Sequence, residues 1–331
     1  MKDALRDTHG RVHRSLRLSV TDRCNFRCPY CMPTGAIAFQ PRKEILSYEE
    51  FETLVRIGAR LGITDVRVTG GEPLVRRDLP RLIRKLADLH GIQDLALTTN
   101  GYYLDELAEP LREAGLQRVT VSLDTLRPDR FTALGGVDGL RRVLGGLAAA
   151  RRAGLAPVKI NTVLLRGVND DEILDLARWA REEGLALRFI ELMPIGGGPA
   201  RGREHLVPGR EVKARIEEHY GLTPRLNDPR APARLFSYAD GGGEVGFINP
   251  VTEPFCMQCD RLRITADGKI RNCLFDSGEL DLKDLLRSGA PEEEIEAVWR
   301  RAVRNKGVGG CLELQEEAVV PAGRRMWQIG G

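Results

Sequence analysis

The sequence predicts an α/β protein: an incomplete (β/α)6 TIM-like barrel with a C-terminal region covering its open side. Three observations predict it. Five times a helix-like segment passes through a Gly and an apolar residue into a short β-branched run. With an opening strand, six such runs can be counted, where eight would close a full barrel. Polar residues collect at the end of each run, the edge at which parallel sheets carry their ligands.

The opening strand lies near Leu16–Val20. Ser47 with Glu50 forms a capping box, and Phe51, Leu54, Val55 and Leu61 follow at helical spacing. The joints then read ARLGITDVRVTGGEP, LADLHGIQDLALTTN, LREAGLQRVTVSLD, ARRAGLAPVKINTV and REEGLALRFIELMP, with Gly62, Gly91, Gly115, Gly154 and Gly184 as helix stops. The sixth strand ends near Glu191. Helices alternating with strands imply parallel βα units. A doubly wound open sheet has the same periodicity. The predicted division is a partial barrel over 1–194 and a C-terminal region over 195–331.

The composition is that of a globular enzyme, 42% hydrophobic and 29% charged over 331 residues. No apolar run is long enough for a membrane span, and the charged N-terminus has no secretory core. A net charge of +3 with 5% aromatics argues against a nucleic-acid-binding surface while leaving room for local anion pockets. Seven cysteines in such a chain point to metal or catalysis rather than to a disulfide framework.

Cys24, Cys28 and Cys31 form C-x3-C-x2-C directly after the first strand. Three thiolates on one loop can bind three irons of a [4Fe–4S] cube and leave the fourth iron open. Zinc wants a fourth ligand in a closed site, and no Cys or His lies next to the triplet to supply it. With Tyr30 before the last Cys and Gly70-Gly71-Glu72-Pro73 at the next strand end, the pattern resembles the radical S-adenosylmethionine (SAM) superfamily. That resemblance implies that the open iron binds SAM. Reduction then cleaves SAM to methionine and a 5′-deoxyadenosyl radical that abstracts hydrogen.

A second triplet, Cys256, Cys259 and Cys273, is spaced C-x2-C-x13-C. By pattern alone it fits half of a zinc ribbon or a second cube with an open iron. Between its members, Arg261 and Arg263 flank Leu262 and share one face of a strand. Arg17, Arg67, Lys159 and Arg188 also fall on strands, where a charge is costly unless paired or bound to an anion. Guanidinium forks suit phosphate oxygens, so a multiply anionic substrate accounts for them together.

RLSVTDRCNFRCPYCMP, VRVTGGEPLVRRDL, TTNG, VSLD, VKINTV, RFIELMP, the second cysteine block and the terminal QIGG together resemble the GTP 3′,8-cyclase family of molybdenum-cofactor biosynthesis. The resemblance covers nearly the whole chain. It implies two [4Fe–4S] clusters, with SAM contacted by Tyr30, Gly71, Ser122 and Met193. GTP would be held by Arg17, Arg67, Thr98, Lys159, Arg188 and the Arg261–Leu262–Arg263 segment, its guanine on the second cluster. Gly330 and Gly331 would thread the tail into the site. The product implied is 3′,8-cyclo-7,8-dihydro-GTP, passed to a separate cyclic pyranopterin monophosphate synthase. An electron donor such as flavodoxin or ferredoxin, a cytoplasmic setting, and a monomer or homodimer are the remaining implications, with no nucleic-acid or membrane partner.

Three positions depart from the family pattern: Asp65 where some relatives carry Lys, Asp260 where Asn is frequent, and Trp327 where the residue is usually small. Two rivals remain at this level. A peptide-modifying radical SAM enzyme would carry more C-terminal cysteines than Cys256, Cys259, Cys273 and Cys311. A zinc-dependent nucleic-acid-binding module would need a basic, aromatic face.

Overall fold

The computed structural model describes residues 4–32, 37–195, 203–310 and 323–330. Twelve strands among them form one sheet. The first six are β1 (Ser15–Ser19), β2 (Asp65–Thr69), β3 (Asp94–Thr99), β4 (Arg118–Ser122), β5 (Val158–Leu164) and β6 (Ala186–Glu191). They lie side by side in sequence order, and every neighbouring pair is parallel. The order never reverses, whereas a doubly wound sheet must reverse at its switch point. That alternative is set aside.

Between these strands run α1 (Tyr48–Arg60), α2 (Leu79–Ala87), α3 (Leu104–Glu113), α4 (Pro128–Gly135), α5 (Leu140–Arg152) and α6 (Ile173–Glu182). The Ser47–Glu50 capping box is formed, with Glu50 N–H donating to Ser47 Oγ at 3.1 Å and Ser47 N–H to Glu50 Oε2 at 2.6 Å. All five joint glycines sit at positive φ, from 63° at Gly184 to 101° at Gly115, where a Cβ would be strained.

Among the described residues, the chain after residue 195 does not form a separate layer. It contributes α7 (Gly209–Tyr220), β7 (Leu222–Pro224), β8 (Arg234–Tyr238), β9 (Glu244–Ile248), β10 (Arg261–Ile264), β11 (Lys269–Arg271) and β12 (Leu280–Asp281). After these come α8 (Lys283–Ser288), α9 (Glu292–Arg304) and the one-turn α10 (Met326–Ile329). β9 pairs parallel with β6 and β10 pairs parallel with β1, so the later strands extend both edges of the same sheet. Antiparallel β8–β7 and β11–β12 finish the two ends. Sequence periodicity missed this because β9 is reached from β6 through α7 and the β7–β8 hairpin rather than one helix, and β10 pairs with β1 from the far end of the chain.

Side chains alternate along the strands, and the alternation separates core from site. Leu16, Leu18, Val66, Val68, Leu97, Val119, Val121 and Ile160 are buried in the apolar core on the helix-covered face. Arg17, Arg67, Thr98, Thr120, Lys159 and Arg188 have the opposite parity. The register sets Arg17 beside Arg67 and Arg263, and Thr120 beside both Thr98 and Lys159. On the outside, Trp299 of α9 lies so close to Gly58 of α1 that a Cβ there would sit 2.9 Å from the indole.

Candidate functional site

One cavity of about 700 Å3 lies over the polar face of the sheet, and both cysteine triplets line it. Tyr30, Gly71, Ser122 and Met193 line it as well, as do Arg17, Arg67, Thr98, Lys159, Arg188, Arg261 and Arg263. A single space therefore holds all but a few of the residues singled out from sequence.

The first triplet is seated by the Gly70–Glu72 turn. Gly71 N–H donates to the Thr21 carbonyl and Glu72 N–H to the Arg23 carbonyl, each at 2.7 Å. A Cβ on Gly71 would lie 2.3 Å from the Arg23 carbonyl oxygen, so only glycine lets these backbones touch. Glu72 is fully enclosed and accepts from Thr99 Oγ1 (2.6 Å), Asn100 N–H (2.7 Å) and Leu74 N–H (2.9 Å). Burial pushes its carboxyl up to about 7 against those three donors. Phe26 wedges the cysteine loop edge-on between Tyr102 and Phe131. Tyr30 donates its hydroxyl to Asp124 Oδ2 at 2.5 Å, and Asp124 Oδ1 accepts the Val163 N–H at 2.8 Å.

Around Cys24 and Cys28 burial and nearby carboxylates dominate. Burial, reinforced by Glu72, pushes the Cys24 thiol up to about 12, and burial with Asp124 also raises the Cys28 thiol well above its ordinary value. Cys259 differs. Burial raises it, but Arg261 and Lys306 outweigh that and bring it down to about 6. Arg261 Nε donates to Cys259 Sγ at 3.3 Å and Lys306 Nζ at 3.6 Å. The second triplet is also hemmed in by backbone: a Cβ on Gly309 would lie 2.1 Å from Cys256 Cβ, and one on Gly310 2.6 Å from Phe275 Cβ.

Among the described residues, no three Cys, His, Asp or Glu side chains converge as ligands of a single metal ion would. A mononuclear zinc requires that convergence. A cube takes each thiolate on a different iron and so needs three sulfurs around a volume. Two groups of three cysteines on the wall of one cavity, the second against the Gly309–Gly310 backbone, suit the cube.

The cations form the floor. Arg17, Arg67, Lys159, Arg188 and Arg263 are all driven below their ordinary values by burial first and, for all but Arg188, by neighbouring cations next. For Lys159 the result is about 7 and for Arg263 about 9. Arg67 is aimed by Thr120 Oγ1 (2.9 Å) and Thr98 Oγ1 (3.3 Å). The Nε atoms of Arg17 and Arg188 and Oδ1 of Asn161 are buried without a hydrogen-bond partner. The two Nε donors are costly alone and are answered by a bound polyanion, whereas Asn161 Oδ1 is an acceptor and calls for a donor.

Strand alternation turns the Leu262 side chain to the opposite face, where it is fully buried in the apolar core, which leaves only its backbone for the expected substrate contact. Gly330 is buried beside Ser19 and Thr69, and its carbonyl accepts from Arg263 Nη1. Gly331 and Cys311 lie outside the described residues. Of the departures, Asp65 lines the cavity while accepting from Thr64 Oγ1 at 2.7 Å. Asp260 lies 3.8 Å from Arg230, and Trp327 is buried on the cavity wall under Arg325.

Sequence reasoning missed Arg11, Arg118, Lys306 and Gly309. Arg118 shares strand parity with Thr120 and could have been found that way; it lines the cavity with its Nε donating to Asp94 at 2.6 Å. Lys306, Gly309 and Arg11 lie outside the barrel repeat, and only the glycine-rich run after α9 hinted at a close backbone approach.

Comparison with known proteins agrees with this geometry. Residues 18–180 match the Radical SAM superfamily and residues 185–309 match Molybdenum Cofactor Synthesis C. A GTP 3′,8-cyclase of Moorella thermoacetica is 48% identical over 99% of this chain and 100% of its own length. One of Streptomyces coelicolor is 46% identical over 98% of this chain and 96% of its own. Among solved structures, Streptococcus suis SuiB bound to S-adenosylmethionine superposes with a TM-score of 0.62 at 15% identity, covering 88% of this chain and 69% of that one, a likeness of fold. On sequence identity over its full length, the chain belongs to the GTP 3′,8-cyclase family of the radical SAM superfamily.

Proposed function

We propose that this chain converts GTP to 3′,8-cyclo-7,8-dihydro-GTP, the first step of molybdenum-cofactor biosynthesis, in an incomplete (β/α)6 barrel. The observation that carries the reading is the sharing of one cavity by two cysteine triplets and a floor of crowded cations, of which Arg17 and Arg188 keep buried Nε donors without a hydrogen-bond partner. Cys24, Cys28 and Cys31 hold a first [4Fe–4S] cluster, and Cys256, Cys259 and Cys273 a second one at which guanine binds. With SAM bound, the first cluster supplies the reductive chemistry that removes hydrogen from the ribose 3′ carbon.

The protein's part is positioning and exclusion of water. Tyr30, held by Asp124, together with Gly71, Ser122 and Met193 seats SAM. Arg17, Arg67, Thr98, Lys159, Arg188, Arg261 and Arg263 orient the nucleotide and neutralise its phosphates. Those phosphates in turn answer the floor cations, whose mutual repulsion Asp94 and Glu244 offset only in part. Gly330, drawn in by Arg263, lines the tail side, and Gly331 completes the tail.

The division into 1–194 and 195–331 follows the chemistry, the first part carrying SAM and the second carrying the other cluster. An acidic electron carrier such as flavodoxin or ferredoxin supplies electrons, and a cyclic pyranopterin monophosphate synthase takes the product. The working form is a monomer or homodimer in the reducing cytoplasm. Among the described residues, no helix is long and apolar enough to cross a membrane.

The test is isotopic. GTP carrying deuterium at ribose C3′ is incubated anaerobically with reconstituted protein, SAM and dithionite. Deuterium recovered in 5′-deoxyadenosine supports the reading. Unlabelled 5′-deoxyadenosine, formed at the same rate with and without GTP, overturns it.

A further inference from the structure

Lys306 has no place among the family motifs read above, yet it is among the more deeply buried cations in the chain, 4% exposed. It follows α9, just past that helix's last turn. Its Nζ makes two contacts: the Arg261 carbonyl at 2.7 Å and Cys259 Sγ at 3.6 Å. Among the described residues, no carboxylate comes within ion-pair distance of it. A buried ammonium without a counter-ion is expensive. The sulfur is the one acceptor here that can become an anion.

Arg261 reaches the same sulfur, Nε at 3.3 Å, with its guanidinium 4.9 Å from the Phe255 ring centroid. Cys259 thus receives two charged N–H donors. Cys24 of the first triplet is served otherwise: it accepts the neutral backbone N–H of Phe26 at 3.3 Å, with the Asn100 amide 4.0 Å away. This asymmetry has a consequence for electrons. A thiolate-ligated cube becomes more negative on reduction. Donors and cations at its sulfurs therefore favour the reduced form and raise its potential.

We infer that Lys306 is a positioning residue of the second cluster, whose ammonium holds the Cys259 thiolate and raises that cluster's reduction potential. This rests on the reading of Cys256, Cys259 and Cys273 as cluster ligands. Lys306 tethers the ligand loop to the end of α9 through the Arg261 carbonyl. It also places a second fixed positive charge, in addition to that of Arg261, at the Cys259 sulfur.

The test uses the full chain, reconstituted anaerobically as wild type, Lys306→Met and Lys306→Arg. Iron is counted, and each cluster's midpoint is read by EPR-monitored potentiometry. At the wild-type midpoint of the second cluster, Lys306→Met is expected to lower its reduced-to-oxidised ratio about tenfold, ~59 mV for a one-electron couple. The first cluster should be unmoved, and Lys306→Arg should restore most of the shift. Should Lys306→Met lose the second cluster while Lys306→Arg keeps about eight irons per chain, the anchoring role still stands. An unchanged second midpoint in a fully loaded Lys306→Met protein overturns the inference, and so does equal loss of the cluster in both variants. A wild-type protein holding only about four irons would instead overturn the two-cluster reading beneath it.

Discussion

Arg11 donates through Nη1 to the carbonyl of Cys256 at 2.9 Å, joining residues 245 positions apart. The same guanidinium reaches the carbonyls of Val308 (2.8 Å) and Gly307 (2.6 Å), while its Nε is held by Asp7 at 2.5 Å. Asp7 is in turn bonded to the buried ring of His13 at 3.0 Å. One side chain near the N-terminus therefore ties the second cysteine loop to the segment after α9. Arg11→Ala leaves three carbonyls short of a donor and Asp7 without its cation. The expected cost is about 3 kcal/mol, read by chemical denaturation of the apo-protein, with fewer irons retained on reconstitution. A loss below about 0.5 kcal/mol, the scale of an ordinary surface substitution, would mean that the clamp carries no load.

Gly309 packs its backbone on Cys256, where an added Cβ would come within 2.1 Å of the cysteine Cβ and 2.6 Å of its sulfur. Neither atom is the far end of a flexible chain, so Gly309→Ala must displace Cys256. Iron should fall from about eight to about four per chain with SAM cleavage retained and GTP conversion lost. Full iron and full conversion would show that the cysteine loop tolerates the shift.

Lys159 sits at about 7 rather than its ordinary 10.5 because it is buried and faces Arg188, Arg118 and Arg67. Between those two values the unfolded chain binds a proton that the folded chain lacks, so apo-protein stability should rise as pH increases through that window. GTP reverses the balance. At pH 8, where the terminal phosphate is fully ionised, binding should draw a proton onto Lys159. Calorimetry in buffers of different ionisation enthalpy measures that uptake, which Lys159→Met should abolish. Binding without proton uptake in the wild type would place the phosphates elsewhere.

Arg263 and Leu262 are adjacent but face opposite sides of β10. Leu262→Ala should cost about 3 kcal/mol of stability and leave GTP affinity within twofold once folded. Arg263→Ala should weaken GTP binding at least tenfold, about 1.4 kcal/mol, and free the tail carbonyls of Ile329 and Gly330 that its guanidinium approaches. Equilibrium binding by both variants separates the two faces, and equal losses would contradict the alternation.

Much of this site was legible in the sequence because its parts are local. The cysteine spacings, the Gly70–Glu72 turn and the parity of Arg17, Arg67, Lys159 and Arg188 each sit within a few residues. What could not be read was long-range. The addition of β9 and β10 to opposite edges of the sheet depends on strand pairing that no periodicity encodes. Lys306 and Arg11 reach the second cysteine loop from residues distant in the chain. Leu262 was drawn into the substrate set by its neighbours, although strand alternation alone already turned its side chain to the core.

The most direct measurement is anaerobic reconstitution with iron and sulfide, followed by SAM, dithionite and GTP, with iron counted and products identified by mass spectrometry. About eight irons per chain, with 5′-deoxyadenosine and a cyclic product isobaric with GTP after loss and return of one hydrogen, is the predicted result. 5′-Deoxyadenosine without any GTP-derived product, from protein holding both clusters, would contradict the assignment of GTP to this cavity.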